Sequence, residues 1–135
     1  MKRVLFVCVE NAGRSQMSEA FAKKYGISAA SAGTIPSDKV NPSVVQVMKE
    51  VGIDLSSVRP KMLALEMIQQ ADLVITMGCS VEKVCPRPML VQMQKKLVDW
   101  NLEDPKGKPV EEVRLIRDEI ERKVRDLSTE LTEPA

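Results

Sequence analysis

The chain contains no histidine. That absence removes Ser–His and Cys–His catalytic pairs and every histidine-ligated zinc site. Acid or base work then falls mainly to Asp, Glu, Lys, Tyr or Cys. Cysteine is sparse too, and three cysteines exclude a four-cysteine zinc site. There is no excess of either charge: 20 Lys and Arg face 19 Asp and Glu, for a net +1. This leaves no electrostatic footprint for nucleic acid or an anionic membrane. No apolar run is long enough to span a bilayer. Met1-Lys2-Arg3 leads directly into apolar residues, with no cleavage-site pattern of a signal peptide. The expected location is therefore cytoplasmic, where cysteine serves catalysis or metal binding more than structural disulfides. What is present suits one folded domain over residues 1–135, with 44% hydrophobic and 29% charged residues. The eight methionines read as flexible core filler.

The richest local pattern is Cys8-Val9-Glu10-Asn11-Ala12-Gly13-Arg14-Ser15, directly after the apolar block Val4-Leu5-Phe6-Val7. The block reads as a buried strand. Ser15 reads as the N-cap of the helix after it. Cys8 then stands at a strand end under the positive end of a helix, an environment that favours thiolate. The backbone amides from Val9 to Arg14 form an anion cradle. Arg14, six positions after Cys8, adds a planar fork for two oxygens of a tetrahedral oxyanion. Cysteine followed at that spacing by arginine is the pattern of phosphatase-type anion loops. The alternative is a core cysteine and an unrelated arginine, but the placement between strand and helix, with Gly13, favours the loop. Ser15 is also expected to donate its hydroxyl to the Cys8 sulfur. Asn11 is expected to brace the loop or to take a left-handed turn conformation. Glu10 would oppose an anion if it pointed inward, so it is expected to face out.

Strands and helices alternate along the chain. Strands are predicted over roughly 3–7, 27–32, 73–75 and 97–100. Helices are predicted over about 15–25, ended by Gly26, and over 44–51 after the cap pair Asn41-Pro42. Further helices are predicted over 61–70 and through a last one ending at Leu127. In that last helix Val113, Ile116, Ile120, Val124 and Leu127 make one apolar face. The tail from Ser128 to Ala135 is polar and expected to fray. The pattern predicts a three-layer α/β/α sandwich on a four-stranded parallel sheet. Ligands bind such sheets at the carboxyl ends of the strands. Cys8, Cys79 and Asp104 each come after a predicted strand, so all three are expected on one rim.

Cys79 and Cys85 are separated by five residues. Two thiols near a nucleophilic third suggest a disulfide relay. Asp104-Pro105 places an acid on a loop at the same edge, where it can protonate a leaving oxygen. Glu103 and Asp99 compete for that role. Lys106-Gly107-Lys108 and Lys95-Lys96 read as solvated charge, with an acidic protein partner as the alternative.

With these residues in place, the chain resembles the thioredoxin-coupled arsenate reductases, which share their fold with low-molecular-weight tyrosine phosphatases. The resemblance rests on Cys8 to Met17, Ser31-Ala32-Gly33-Thr34, Lys49 to Asp54 and Asp104-Pro105. It implies that arsenate, with phosphate or sulfate as mimics, settles between Val9 and Arg14. It further implies that Cys8 attacks arsenic while Asp104 protonates the departing oxygen. Cys79 then attacks the Cys8 sulfur and arsenite leaves. Cys85 moves the disulfide to Cys79–Cys85, and thioredoxin, charged ultimately from NADPH, reduces it. No bound cofactor or metal is implied, although Asn11 and Glu19 match part of a potassium site in some relatives. The protein is expected to be monomeric. Gly13 stands where some relatives carry a further cysteine, and Lys106 stands where the phosphatases have an aromatic. Three other readings stay open. One is a phosphatase using Cys8, Arg14 and Asp104. Another is a non-enzymatic redox or oxyanion sensor. The third is a reductase served by glutaredoxin or a small thiol.

Overall fold

The computed structural model describes residues 2–77 and 97–132. Its sheet has four parallel strands: β1 (Arg3–Cys8), β2 (Ser28–Gly33), β3 (Leu73–Thr76) and β4 (Leu97–Asp99). The order is β2-β1-β3-β4. Among the described residues the helices are α1 (Arg14–Lys24), α2 (Pro42–Lys49), α3 (Leu65–Gln70) and α4 (Val110–Thr132). The α/β sandwich read from the sequence is the fold found.

Alternation along β1 explains the layering. Val4, Phe6 and Cys8 point to one face and Leu5 and Val7 to the other, as the two-residue period of a strand requires. The first face carries the larger core, with Met17 and Phe21 from α1, Val44 and Met48 from α2, and Ile116, Ile120 and Val124 from α4. The second face is covered by Ile68 of α3 with Leu63 and Ala71. Large side chains buried this fully stabilise by about 1.5–3 kcal/mol each. The predicted apolar face of the last helix is buried along its whole length. Among the described residues, no helix is long and apolar enough to cross a membrane.

Because β2 and β3 flank β1 on opposite sides, the chain leaves β1 in one direction and later returns on the other. That reversal opens a crevice beyond the carboxyl ends of β1 and β3. Cys8 is the last residue of β1 and so sits at this crevice.

Four local expectations need correction. Helix α1 begins at Arg14 with Gly13 at its N-cap and no side-chain cap, so Ser15 is not the cap. Its hydroxyl is drawn to the Cys8 sulfur instead. The helix expected from Lys61 starts only at Leu65. Residues 61–63 run extended beside the end of β2, where Gly33 N–H donates to Lys61 O and Leu63 N–H to Gly33 O, both at 2.8 Å. The last helix does not end at Leu127 but continues to Thr132. Ser128 Oγ donates to Tyr25 O at 3.1 Å and Leu131 packs on the core, which holds that extra turn. Lastly, β4 ends at Asp99 rather than Trp100. The Asn41-Pro42 start of α2 is as read, with Ser43 N–H on Asn41 Oδ1 at 3.0 Å.

Helices α2 and α4 are joined by charge. Arg114 and Arg117 converge on Glu50 at 2.7 and 2.8 Å. The Arg114 hydrogen bonds, then that of Arg117, hold the Glu50 carboxyl down at about 2 from an ordinary 4.5. A depressed folded-state value gives stability that is fully present above pH 4.5 and lost as the pH falls toward 2. Glu50→Gln should therefore lower the urea midpoint at pH 7. The gap between variant and parent should close between pH 4.5 and 2; a gap constant with pH would rule out this linkage.

Candidate active site

The loop from Cys8 to Arg14 is shaped from outside. Its carbonyl oxygens are taken by the neighbouring segment: Thr34 N–H donates to Cys8 O at 3.2 Å, Ile35 to Val9 at 2.8 Å, Ser37 to Glu10 at 2.9 Å and Asn41 to Ala12 at 2.9 Å. With those carbonyls fixed outward, the loop's amides are left for its concave side. The segment can approach this closely because Gly33 has no side chain. A Cβ there would lie 2.5 Å from Val9 O and 2.9 Å from Asn11 N.

Asn11 organises the interior of the loop. It is fully buried and sits at φ 53°, so both expectations for it hold together. Its Oδ1 accepts from Lys61 N–H and from Gln16 Nε2, each at 2.9 Å. Its Nδ2 donates to Ser15 Oγ at 2.7 Å and to Ser31 Oγ at 3.0 Å. The backbone N–H of Lys61 can only donate, which fixes the amide's orientation. Ser31 in turn donates to Glu19 Oε1 at 2.6 Å. Ser15 Oγ accepts from Asn11 and is also hydrogen-bonded to Cys8 Sγ at 2.9 Å. Asn11 N–H reaches the same sulfur at 3.1 Å. Ser15 Oγ and Asn11 N–H thus converge on the one sulfur.

Glu19 anchors the far end. Burial pushes its carboxyl up, but the Lys23 and Ser31 hydrogen bonds and the Lys61 charge outweigh that, and the net shift is below 4.5. It therefore stays an acceptor at neutral pH. Its partners include the ammonium groups of Lys23 at 2.6 Å and Lys61 at 3.5 Å, so the carboxylate that matched part of a potassium site is already met by the chain's own cations.

Arg14 is buried at the head of α1. One nitrogen, Nη1, donates to Met77 O at 2.6 Å and Leu102 O at 2.8 Å. The other, Nη2, lies 3.8 Å from Asp104 Oδ2. Asp104 is 58% exposed and accepts from Lys106 N–H at 3.0 Å. Pro105 packs over Gly13, where a Cβ would meet its Cγ at 3.0 Å. Lys106 is not simply solvated: its Nζ pairs with Glu10 Oε1 at 2.9 Å, and that hydrogen bond raises the Lys106 pKa. Glu10 is thus turned to the rim and neutralised there.

These groups enclose a cavity of about 480 Å³, with Cys8 in its lining and Val9, Glu10, Ala12, Gly13 and Arg14 around it. The structure thus gathers Cys8 through Ser15 and Asp104. Cys79 and Cys85, read from the sequence as a relay pair, lie outside the described residues. Glu103 and Asp99 are turned to other partners: Glu103 lies 3.7 Å from Lys108 Nζ, and Asp99 accepts from Thr76 Oγ1 at 2.9 Å. Sequence reasoning missed Lys61 and Ser31 as braces and Lys106 as a rim residue. Lys61 contacts Asn11 from fifty positions away, and no local pattern marks it.

A buried thiol, inward amides and an arginine at one strand end define a cysteine-based pocket for tetrahedral oxyanions. The chain belongs to the low molecular weight phosphotyrosine protein phosphatase family, whose model matches residues 3–135. It is 42% identical to a putative arsenate reductase of Halobacterium salinarum over 93% of this chain and 89% of that one. It is 36% identical to a glutaredoxin arsenate reductase of Synechocystis, over 98% of this chain and 100% of the other. Among solved structures, an arsenate reductase in the phosphate binding state superposes with a TM-score of 0.83 at 36% identity, over 98% and 100% of the chains. The YwlE arginine phosphatase of Geobacillus stearothermophilus superposes with 0.85 at 28% identity, over 97% and 93%.

Asn11→Ala should take the acceptor from the buried Gln16 Nε2 and the part-buried Lys61 N–H, for a loss of about 1–3 kcal/mol in urea unfolding. It should also slow iodoacetamide alkylation of the Cys8 peptide several-fold at pH 7, read by mass spectrometry. Unchanged alkylation would mean the amide does not act on the sulfur.

Proposed function

We propose that the protein reduces arsenate to arsenite by passing a disulfide through Cys8, Cys79 and Cys85. The observation that carries this is the Cys8 sulfur, hydrogen-bonded to Asn11 N–H and Ser15 Oγ, in an arginine-bearing oxyanion pocket, in a chain with two further cysteines. Arsenate is near-isosteric with phosphate and fits the same amides and guanidinium. Cys8 thiolate attacks As(V) and forms an S–As bond. Asp104 gives its proton to the oxygen that departs as water. Cys79 thiolate then attacks Cys8 Sγ. The S–As bond breaks with its electron pair passing to arsenic, and As(III) leaves as arsenite. The Cys8–Cys79 disulfide moves to Cys79–Cys85 when Cys85 attacks Cys79, and Cys8 is free again. A dithiol donor of the thioredoxin type closes the cycle with electrons that come ultimately from NADPH. The rest of the reading is a cytoplasmic monomer that needs neither metal nor bound cofactor.

The family and the arginine phosphatase neighbour keep a second reading in view, hydrolysis of a phosphate ester by Cys8, Arg14 and Asp104. Hydrolysis does not require Cys79 or Cys85, and that difference separates the two.

Arsenate-dependent NADPH oxidation with thioredoxin and thioredoxin reductase, run in parallel with glutaredoxin and glutathione, tests the activity and names the donor. Cys85→Ser should give about one arsenite per protein and stop as the Cys8–Cys79 disulfide, seen by peptide mapping. Continued turnover by Cys85→Ser with thioredoxin would overturn the relay order. Undiminished ester hydrolysis with no arsenate turnover would favour the phosphatase. Asp104→Asn should slow the first chemical step ~10²–10⁴-fold in single-turnover kinetics. An unchanged rate assigns the proton to another group.

A further inference from the structure

We propose that Glu10 and Lys106 form a charge-compensated bridge at the rim of the pocket that selects free inorganic oxyanions over phosphate esters. This deepens the oxyanion-pocket reading and rests on it. Glu10 is the only carboxylate in the run from Cys8 to Arg14. Left alone, it would repel the anion that the loop is built to hold. Its Oε1 instead meets Lys106 Nζ at 2.9 Å. The two residues stand on different walls, one on the anion loop and one on the turn that carries Asp104, and both line the cavity. Their side chains are 42% and 68% exposed, which places the pair on the solvent side.

The bridge is not what holds the turn in place. Pro105 packs on Gly13, and Asp104 accepts the Lys106 N–H and faces Arg14. The turn keeps its position through these contacts, so the ion pair is free to act on what enters. A free oxyanion has no substituent and fits beneath the bridge with Glu10 neutralised. An ester must route its organic group out past the rim. In this proposal the group leaves on the Glu10–Lys106 side of a lining that also holds Ser37, Lys39 and Pro42, which parts the pair and leaves a bare carboxylate beside the bound anion. The ester therefore meets both the lost ion pair and the repulsion, and the free oxyanion meets neither. Uncompensated charge at this range is worth about three- to tenfold in affinity. The exposed pair itself adds a few-fold at most.

Binding of inorganic phosphate and of phenyl phosphate, measured by calorimetry at low salt, tests this. A Cys8→Ser parent keeps the ester uncleaved. Adding Lys106→Ala should weaken phosphate binding about three- to tenfold, and adding Glu10→Gln as well should restore it to within twofold. In the double variant, the preference for phosphate over phenyl phosphate should fall about fivefold, and any fall beyond twofold supports the bridge. A preference within twofold of the parent overturns the proposal. So does a Lys106→Ala loss that persists at full size beside Glu10→Gln. If the parent binds neither ligand, the oxyanion pocket falls and the bridge with it. If both bind as described while arsenate is never reduced, the reductase reading fails and the bridge stands.

Discussion

The site depends on one saturated amide. Asn11 fills all four of its side-chain hydrogen-bonding positions inside the fold and aims its backbone N–H at the Cys8 sulfur. The αL conformation it adopts costs an ordinary residue of order 1–3 kcal/mol, which the surrounding bonds offset. Because Lys61 N–H fixes which end of the amide accepts, both amide protons go to serines: one to Ser15, which is hydrogen-bonded to Cys8 Sγ, and one to Ser31, which donates to the Glu19 carboxylate.

Loop and scaffold divide the labour. The strand order puts Cys8 at a crevice, and the segment from Thr34 to Asn41 takes the loop's outward carbonyls. What remains inside is a ring of amides with an arginine at its edge. Asp104 stands at the rim in an exposed turn held by Pro105 and by its own bond to Lys106 N–H. Glu10 enters the same rim as a liability that Lys106 cancels.

Much of this was legible in the residues because it is local. Cys8, Gly13 and Arg14 lie within one turn of chain, and the strand and helix patterns on either side place them. The α/β alternation and the buried face of the last helix were equally plain, since hydrophobic periodicity encodes them. What stayed hidden depends on distant partners. Ser15 looks like a helix cap until a sulfur competes for its hydroxyl. Lys61 looks like a helix start until Asn11 and Gly33 claim its backbone. Lys106 looks like a solvated charge until the fold brings Glu10 to within 2.9 Å. Ser128 looks like the start of a frayed tail until the Tyr25 carbonyl is found beside it.

Arg14 is a single side chain that belongs to two systems. Its Nη1 closes the ends of the segments after β3 and before Asp104 by gripping Met77 O and Leu102 O, while the rest of the guanidinium faces the cavity. A lysine could carry the charge, yet a single ammonium could not span two carbonyls and an anion from one stem. The architecture and the chemistry are thus tied to the same planar group. Drift at this position is constrained twice over: a chain that abandoned its ligand would still have to keep the arginine to hold its own loops together.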